Sequence, residues 1–181
     1  MSSFPAPGVI STARLNLREF RPGDDGLVAE VMSTGQPEAL PPNGPLVPGD
    51  IGAWLAVQAA SDGRESRLDL MMFDRAAGRI IGGISLYRAD WNIRAAEVGY
   101  GVRDDVRGKG YATEALTAVA SWALSGAGLQ RVSLSAVTGN VASVRVAEKA
   151  GFRREGTLRR AALEDGAPHD LAVFSRLDDD R

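Results

Sequence analysis

The stretch "RLNLREF" (residues 14–20) alternates apolar and polar positions with the period of two that a half-buried strand requires. "RPGDDGLVAEVM" (21–32) then changes to helical spacing, and Asp24 or Asp25 stands where a helix N-cap belongs. Residues 36–50, "QPEALPPNGPLVPGD", follow no period. Pro37, Pro41, Pro42, Pro45 and Pro48 remove backbone donors and fix the chain, so a loop is expected there and a helix from about Ile51. "RLDLMMF" (67–73), "RIIGGISLY" (79–87) and "AAEVGYGV" (95–102) read as three successive strands, with "DRAAGR" (74–79) as the turn between the first two. Further on, Ala112, Ala115, Leu116, Val119 and Ala123 recur at helical spacing, and "RVSLSAV" (131–137) is β-prone again. Asn140 can cap a helix through Val144 and Ala147 that stops at Gly151, with Phe152 folding back on it. "GTLRRAAL" (156–163) and "LAVFSRL" (171–177) alternate around Asp165-Gly166, a hairpin turn. The predicted order is strand, helices, three strands, helix, strand, helix, two strands: a mixed α/β sheet in one layer with helices on it.

Composition narrows what such a sheet can do. The 181 residues suit a single domain with a proper core, taken as about 12–177, with 1–11 and 178–181 as flexible tails. A 44% apolar and 24% charged chain is ordinary for a globule, and a net charge of -2 gives no bulk electrostatic reason to bind nucleic acid or an anionic membrane. The absence of cysteine excludes a disulfide framework, a thiolate zinc site and a cysteine nucleophile together. No signal-like start and no membrane-length apolar run is found, so a cytoplasmic enzyme or binding protein is expected.

The candidate chemistry sits in "DVRGKGYATEAL" (105–116), between a predicted strand and a predicted helix. The first N–H groups of a helix have no intrahelical partner, and with the helix dipole they favour an anion; glycines let its oxygens approach the backbone. A Walker A loop does not fit, because Lys109 is followed by Gly110 and Tyr111 with no matching glycine upstream. A dinucleotide fingerprint fits weakly, since Thr113 holds the third glycine position and "AVTGN" ends the next strand without a carboxylate. A plain turn, with glycines for backbone reasons alone, is the remaining alternative.

The neighbours of this turn change the balance. Arg107-Gly108-Lys109-Gly110-Tyr111-Ala112 fits R-x-x-G-x-[GA] and so resembles the pyrophosphate-binding motif of the Gcn5-related N-acetyltransferases (GNAT). "RLNLREFRPGD" resembles the opening of the branch that contains RimJ/RimL-type ribosomal-protein N-terminal acetyltransferases, and "AEVGYGV", "NVASVRVAEKAGF" and "HDLAVFSRL" resemble its later signatures in the right order. The resemblance implies the GNAT fold, an α/β (α+β) domain with a single mixed, mostly antiparallel sheet of about seven strands flanked by about four helices. It also implies an acetyl-coenzyme A-dependent N-acetyltransferase (EC 2.3.1.-), with no metal, working as a monomer or homodimer. The acceptor would be a primary amine, either a protein N-terminus or a small amine or amino-acid-like acceptor. A non-catalytic domain that keeps the fold and binds an acyl-coenzyme A as a regulatory ligand is the alternative.

Residue roles follow from the same resemblance. Val106, Arg107, Gly108, Lys109, Gly110, Tyr111, Ala112 and Thr113 would cradle the coenzyme A pyrophosphate, with Val102 at the end of the preceding strand and Arg107 and Lys109 adding positive charge. Gly99 and Gly101 are costly inside a strand unless a bulge or a close backbone approach requires them, as a pantetheine arm along an open edge would. Their N–H groups, or that of Tyr100, are candidates for polarising the thioester carbonyl. Glu97 is the candidate base, the alternative being a solvated strand carboxylate paired with an arginine. Asn140 and Ser143 resemble an N-x-x-S pair that hydrogen-bonds the carrier, with Ser143 aimed at the leaving thiolate; the alternative for Asn140 is a helix cap. Glu38, Trp91 and the closing hairpin would surround the acceptor amine. Arg160 stands where related chains carry an acid, which leaves Glu164 as the nearest one, and His169 beside Asp170 reads as a structural hydrogen-bonder.

Overall fold

The computed structural model describes residues 3–34, 40, 48–60 and 63–180. Among them β1 (Val9–Ser11) and β2 (Leu15–Arg18) precede α1 (Asp25–Ser33) and α2 (Ile51–Ala60). The hairpin strands β3 (Leu68–Asp74), β4 (Arg79–Asp90) and β5 (Ala95–Val102) follow. Then come α3 (Tyr111–Ser125), β6 (Arg131–Val137), α4 (Val141–Lys149) and a closing pair, β7 (Arg153–Glu164) and β8 (Ala167–Leu177). One sheet results, in the order β1-β2-β3-β4-β5-β6-β8-β7, and only β5 and β6 run parallel. The eighth strand beyond the seven expected is β1, drawn from the stretch read as a tail. Phe4, also in that stretch, is buried and its N–H donates to the Arg64 carbonyl at 2.8 Å.

The continuous apolar run "LMMF" in β3 has a direct cause: both faces of this central strand are covered. Leu68, Leu70 and Met72 join Leu15, Leu17, Ile84 and Val98 under α3, whose Ala115, Leu116, Val119 and Ala123 are fully buried. Met71 and Phe73 point the other way and pack with Ile80, Val28, Val31, Ile51 and Leu55 beneath α1 and α2.

Local chemistry sets the ends of the helices and hairpins. Asp24 holds the N-cap position of α1 without capping it, because its carboxylate is taken by Arg18 (2.8 Å to each oxygen) and by the Arg21 N–H (2.7 Å). Asn140 does cap α4, accepting from the Ser143 N–H at 3.0 Å. At its other end Gly151 takes φ 83°, and the N–H groups of Gly151 and Phe152 close on the carbonyls of Glu148 and Ala147, so Phe152 tucks into the core as expected. Asp165 and Gly166 both have positive φ, 50° and 75°, which is the two-residue turn that suits the twist of a hairpin.

The far edge is tied by charge. Glu155 on β7 accepts a forked pair from Arg131 on β6 (2.7 and 2.5 Å) and the Ser175 hydroxyl on β8 (2.7 Å). These bonds, with Arg131 first and Ser175 second, hold its carboxyl at about 2, against an ordinary 4.5. A depressed carboxyl contributes stability that is complete above its unfolded value and is lost as pH falls through the folded one. Glu155→Gln should therefore cost about 1 kcal/mol at neutral pH, a small figure because the pair is over a third exposed and screened. Urea unfolding should show the gap between parent and variant closing as pH falls from 4.5 towards 2.

Candidate active site

The parallel strands β5 and β6 pair over three rungs only, Ala95 with Arg131, Ala96 with Val132 and Glu97 with Ser133. Beyond Glu97, β5 stays with β4 as far as Val102 while β6 stays with β8 as far as Val137, so the sheet forks. The register decides which backbone groups the fork exposes. Arg103 N–H donates to the Ile81 carbonyl at 2.9 Å, and antiparallel bonding alternates along the ladder, so Gly101, Gly99 and Glu97 turn their N–H groups to β4. Val98, Tyr100 and Val102 turn theirs into the fork. Of the three N–H groups considered for a carbonyl oxygen, only that of Tyr100 faces the gap. Gly99 has a packing reason instead, since a Cβ there would press on the Tyr87 ring at 3.2 Å, and a Cβ on Gly82 would run into the Gly101 carbonyl.

A cleft of about 590 Å³ opens from the fork, bounded by the first turns of α3 and α4. Most of the expected cradle lines it: Val102, Val106, Arg107, Gly108, Gly110, Tyr111, Ala112 and Thr113, together with Tyr100, Asn140 and Ser143. Gly108 and Gly110 adopt φ 75° and 83°, a left-handed conformation that costs other residues strain. Gly110 is the N-cap of α3 and has no side chain to offer, and the first intrahelical bond is from the Glu114 N–H to the Gly110 carbonyl. The N–H groups of Tyr111, Ala112 and Thr113 thus have no helical partner, and no side chain caps them.

Two of the expected cations are committed elsewhere. Lys109 does not line the cleft: its Nζ donates to the Asp105 carbonyl at 2.9 Å. Arg107 does line it, but its guanidinium meets Asp104 at 2.7 Å. Arg145 and Lys149, not among the residues expected from the sequence, line the wall along α4 together with Ala142 and Val146, and of the two candidate strand glycines Gly101 lines the cleft. The i, i+4 spacing of Arg145 and Lys149 on a helix capped by Asn140 was the available signal.

The cradle is braced from the opposite end of the chain. Arg14, in the turn between β1 and β2, donates through Nη1 to the Lys109 carbonyl at 2.8 Å and stacks its guanidinium over the Tyr111 ring at 4.2 Å. Its own N–H and Nε fix Glu114 (2.8 and 2.6 Å), which also accepts the Thr12 hydroxyl at 2.6 Å. Burial pushes the Glu114 carboxyl up, but these bonds outweigh it and hold the group below its ordinary value. Tyr111 in turn donates to Asp74 at 2.9 Å, a bond that raises its phenol above the usual range.

At the inner end, the Tyr100 hydroxyl reaches the Ser143 carbonyl at 3.5 Å, so β5 and α4 meet across the fork. Burial pushes the Tyr100 phenol up, against the opposing contact with Ser143. Asn140 spends its side-chain oxygen on capping, and its amide nitrogen has no partner among the described residues. Glu97 belongs to the other face. It is the last residue on β5 to pair with β6, and its carboxylate lies 3.2 Å from Arg88 Nη1 through each oxygen. Trp91 does not line the cleft; its indole N–H donates to the Glu65 carbonyl at 2.6 Å and its ring meets Phe4 edge-on. His169 pairs with Ala162 on the closing hairpin, where Arg160 takes φ 53° at a bulge. Glu38 and most of the proline-rich stretch lie outside the described residues.

This geometry has close counterparts. The family model described as "Acetyltransferase (GNAT) domain" matches residues 14–153. The chain is 37% identical over 100 residues to the "Putative ribosomal N-acetyltransferase YdaF" of Bacillus subtilis, covering 55% of each chain. The matches to the three first curated relatives span 57%, 55% and 61% of their length. Among solved structures, the ribosomal-protein-S5-alanine acetyltransferase of Vibrio fischeri superposes with a TM-score of 0.79 at 20% identity, over 96% of this chain and 98% of that one. The microcin C7 self-immunity acetyltransferase MccE, solved in complex with acetyl-CoA and AMP, superposes with a TM-score of 0.74 at 20% identity over 97% and 98%. These two likenesses are likenesses of fold.

Arg14→Ala tests the brace. It removes one charge-assisted bond to the glycine loop and the stacking on Tyr111, and should weaken acetyl-coenzyme A binding roughly tenfold by calorimetry. Gly110→Glu should abolish binding outright, because it adds both backbone strain and a negative charge at the N-terminus of α3.

Proposed function

The chain belongs to the GNAT acetyltransferase family, and we propose that it is an acetyl-coenzyme A-dependent N-acetyltransferase that moves the acetyl group to a primary amine by direct attack in a ternary complex. The observation that carries this reading is the fork: an unpaired strand edge inside a sheet, ending at an uncapped helix N-terminus flanked by two left-handed glycines. Bound acetyl-coenzyme A supplies the acetyl group as a thioester. The residues present fit such a carrier, with three free N–H groups of α3 for a pyrophosphate, Arg145 and Lys149 as nearby cations, and a strand edge for an extended amide-bearing arm.

On this reading each group has one task. Tyr100 N–H donates to the thioester oxygen as negative charge develops on it. Glu97, on the opposite face, accepts the proton that the acceptor amine must lose, directly or through water. As the carbon–nitrogen bond forms and the carbon–sulfur bond breaks, the Ser143 hydroxyl and the Asn140 amide supply hydrogen bonds to the departing thiolate. The acceptor on this reading is a protein N-terminus or a small amine or amino-acid-like molecule.

Acetyl-coenzyme A at about a hundred times its dissociation constant should stabilise the protein by roughly 2.7 kcal/mol in a thermal shift. Turnover should then be measured with a panel of free amines and N-terminal peptides. Binding without turnover of any of them would favour a regulatory acyl-coenzyme A sensor instead. Glu97→Gln should slow turnover most at low pH, where the acceptor is protonated, and recover as rising pH supplies free amine. Ser143→Ala should lose about tenfold in kcat at every pH, with carrier binding retained.

A further inference from the structure

The pairs Arg67–Asp69, Arg131–Glu155 and Arg88–Glu97 share the sheet face that carries Glu97, and they are not equivalent. Arg67 grips Asp69 with a two-nitrogen fork at 2.7 and 2.7 Å, and the Ser85 hydroxyl completes that carboxylate. Arg131 grips Glu155 in the same way at 2.7 and 2.5 Å. Arg88 touches Glu97 with Nη1 alone, at 3.2 Å to each oxygen, and its side chain is 74% exposed. Two of the pairs are closed. The third leaves most of a guanidinium fork facing solvent beside the proposed base.

Backbone strain puts Arg88 there. Consecutive strand residues point to opposite faces, so Arg88 should face away from its neighbour Tyr87, which pairs with Glu97. The ladder is irregular between Tyr87 and Asp90, and Arg88 adopts φ 52°, a left-handed conformation disfavoured for an arginine and natural to glycine at a bulge of this kind. The bulge turns the Arg88 side chain back onto the Glu97 face. A glycine would fit the backbone better, and an arginine is held there against that preference.

We propose that Arg88 is a specificity residue: it receives an anionic group of the acceptor, a carboxylate or phosphate next to the amine, while Glu97 receives the amine itself. This rests on the N-acetyltransferase reading above and deepens it. The two receiving groups are 3.2 Å apart, so the acceptor's charges must be close neighbours, as in an α-amino acid or an aminoalkyl phosphate. An anion in the open fork of Arg88 competes for that guanidinium, the one arginine that Glu97 meets among the described residues, and leaves Glu97 to the amine. A polyamine offers no anion for that open fork.

The test compares an α-amino acid with its amide, using aminoethyl phosphate, spermidine and a peptide with aspartate at its second position as further acceptors. In the parent protein kcat/KM should favour the acid over its amide about tenfold, the effect of one charge-assisted contact. Activity on the peptide but on no free acid would overturn the proposal, because the peptide's amine and side-chain carboxylate are not close neighbours. In Arg88→Gly the ratio of acid to amide should fall to about one, Arg88→Lys should restore part of it, and the Tm of Arg88→Gly should be no lower than the parent's. A parent ratio near one, or a ratio that survives in Arg88→Gly, overturns the proposal while leaving the N-acetyltransferase reading intact. A loss shared equally by acid and amide would mean that Arg88 only orients Glu97, and would also overturn it. If no amine of any class is turned over, the N-acetyltransferase reading falls and this proposal with it.

Discussion

Everything distinctive about this molecule depends on the parting of β5 and β6 after three rungs. Strands inside a sheet normally satisfy each other's N–H and C=O groups, and an edge left open in the middle of a sheet is unfavourable unless something bonds to it. Here the open edge is held apart from both sides. The antiparallel ladder to β4 keeps β5 straight through Val102, the ladder to β8 carries β6 away to Val137, and α3 and α4 set their N-termini on either lip of the gap. The alternation of the β4 ladder then fixes which donors of β5 look into the fork. A single register, set by hydrophobic burial on both faces, thereby selects the Tyr100 N–H and withholds those of Gly99 and Gly101.

The same fork explains what the sequence could reveal. Elements with strong local signals were legible: the helix period from Ala112 to Ala123, the Asn140 cap with its Gly151 stop, and the Asp165-Gly166 turn all depend on neighbours a few residues away. The glycine turn was legible for the same reason, and so was its resemblance to a pyrophosphate cradle. What stayed hidden depends on distant partners. β1 is not legible in the sequence because three residues carry too little pattern without β2 beside them. Lys109 looked like a phosphate ligand until the fold brought the Asp105 carbonyl under its Nζ. Arg145 and Lys149 become part of the site only because α4 is laid along the cleft. No pattern could show that Arg88 shares a face with Glu97, because the rule of alternation predicts the reverse and only a bulge breaks it.

Long-range ties of this kind also make the N-terminal turn part of the site. Thr12 and Arg14 are about a hundred positions from Glu114 along the chain, yet five of their bonds and contacts fall on Lys109, Tyr111 and Glu114. The opening motif "RLNLREF" therefore does two jobs: its apolar Leu15 and Leu17 feed the core beneath α3, and its first arginine steadies the loop at the mouth of that helix. Loop geometry that must be accurate is supported by a side chain from a neighbouring strand rather than by the loop itself.

The split allegiance of β3 has a practical corollary. Met71 and Met72 are adjacent in sequence and both fully buried, yet Met71 belongs to the packing under α1 and α2, and Met72 to the packing under α3. Their methyl groups are thus two reporters in a single dipeptide, one in each layer of the molecule. In a methyl-labelled sample, a ligand entering from the α3 side would disturb the Met72 signal first, and one settling over the α1–α2 side the Met71 signal. The order in which the carrier and acceptor of the proposed acetyl transfer arrive could then be followed without attaching a probe to either.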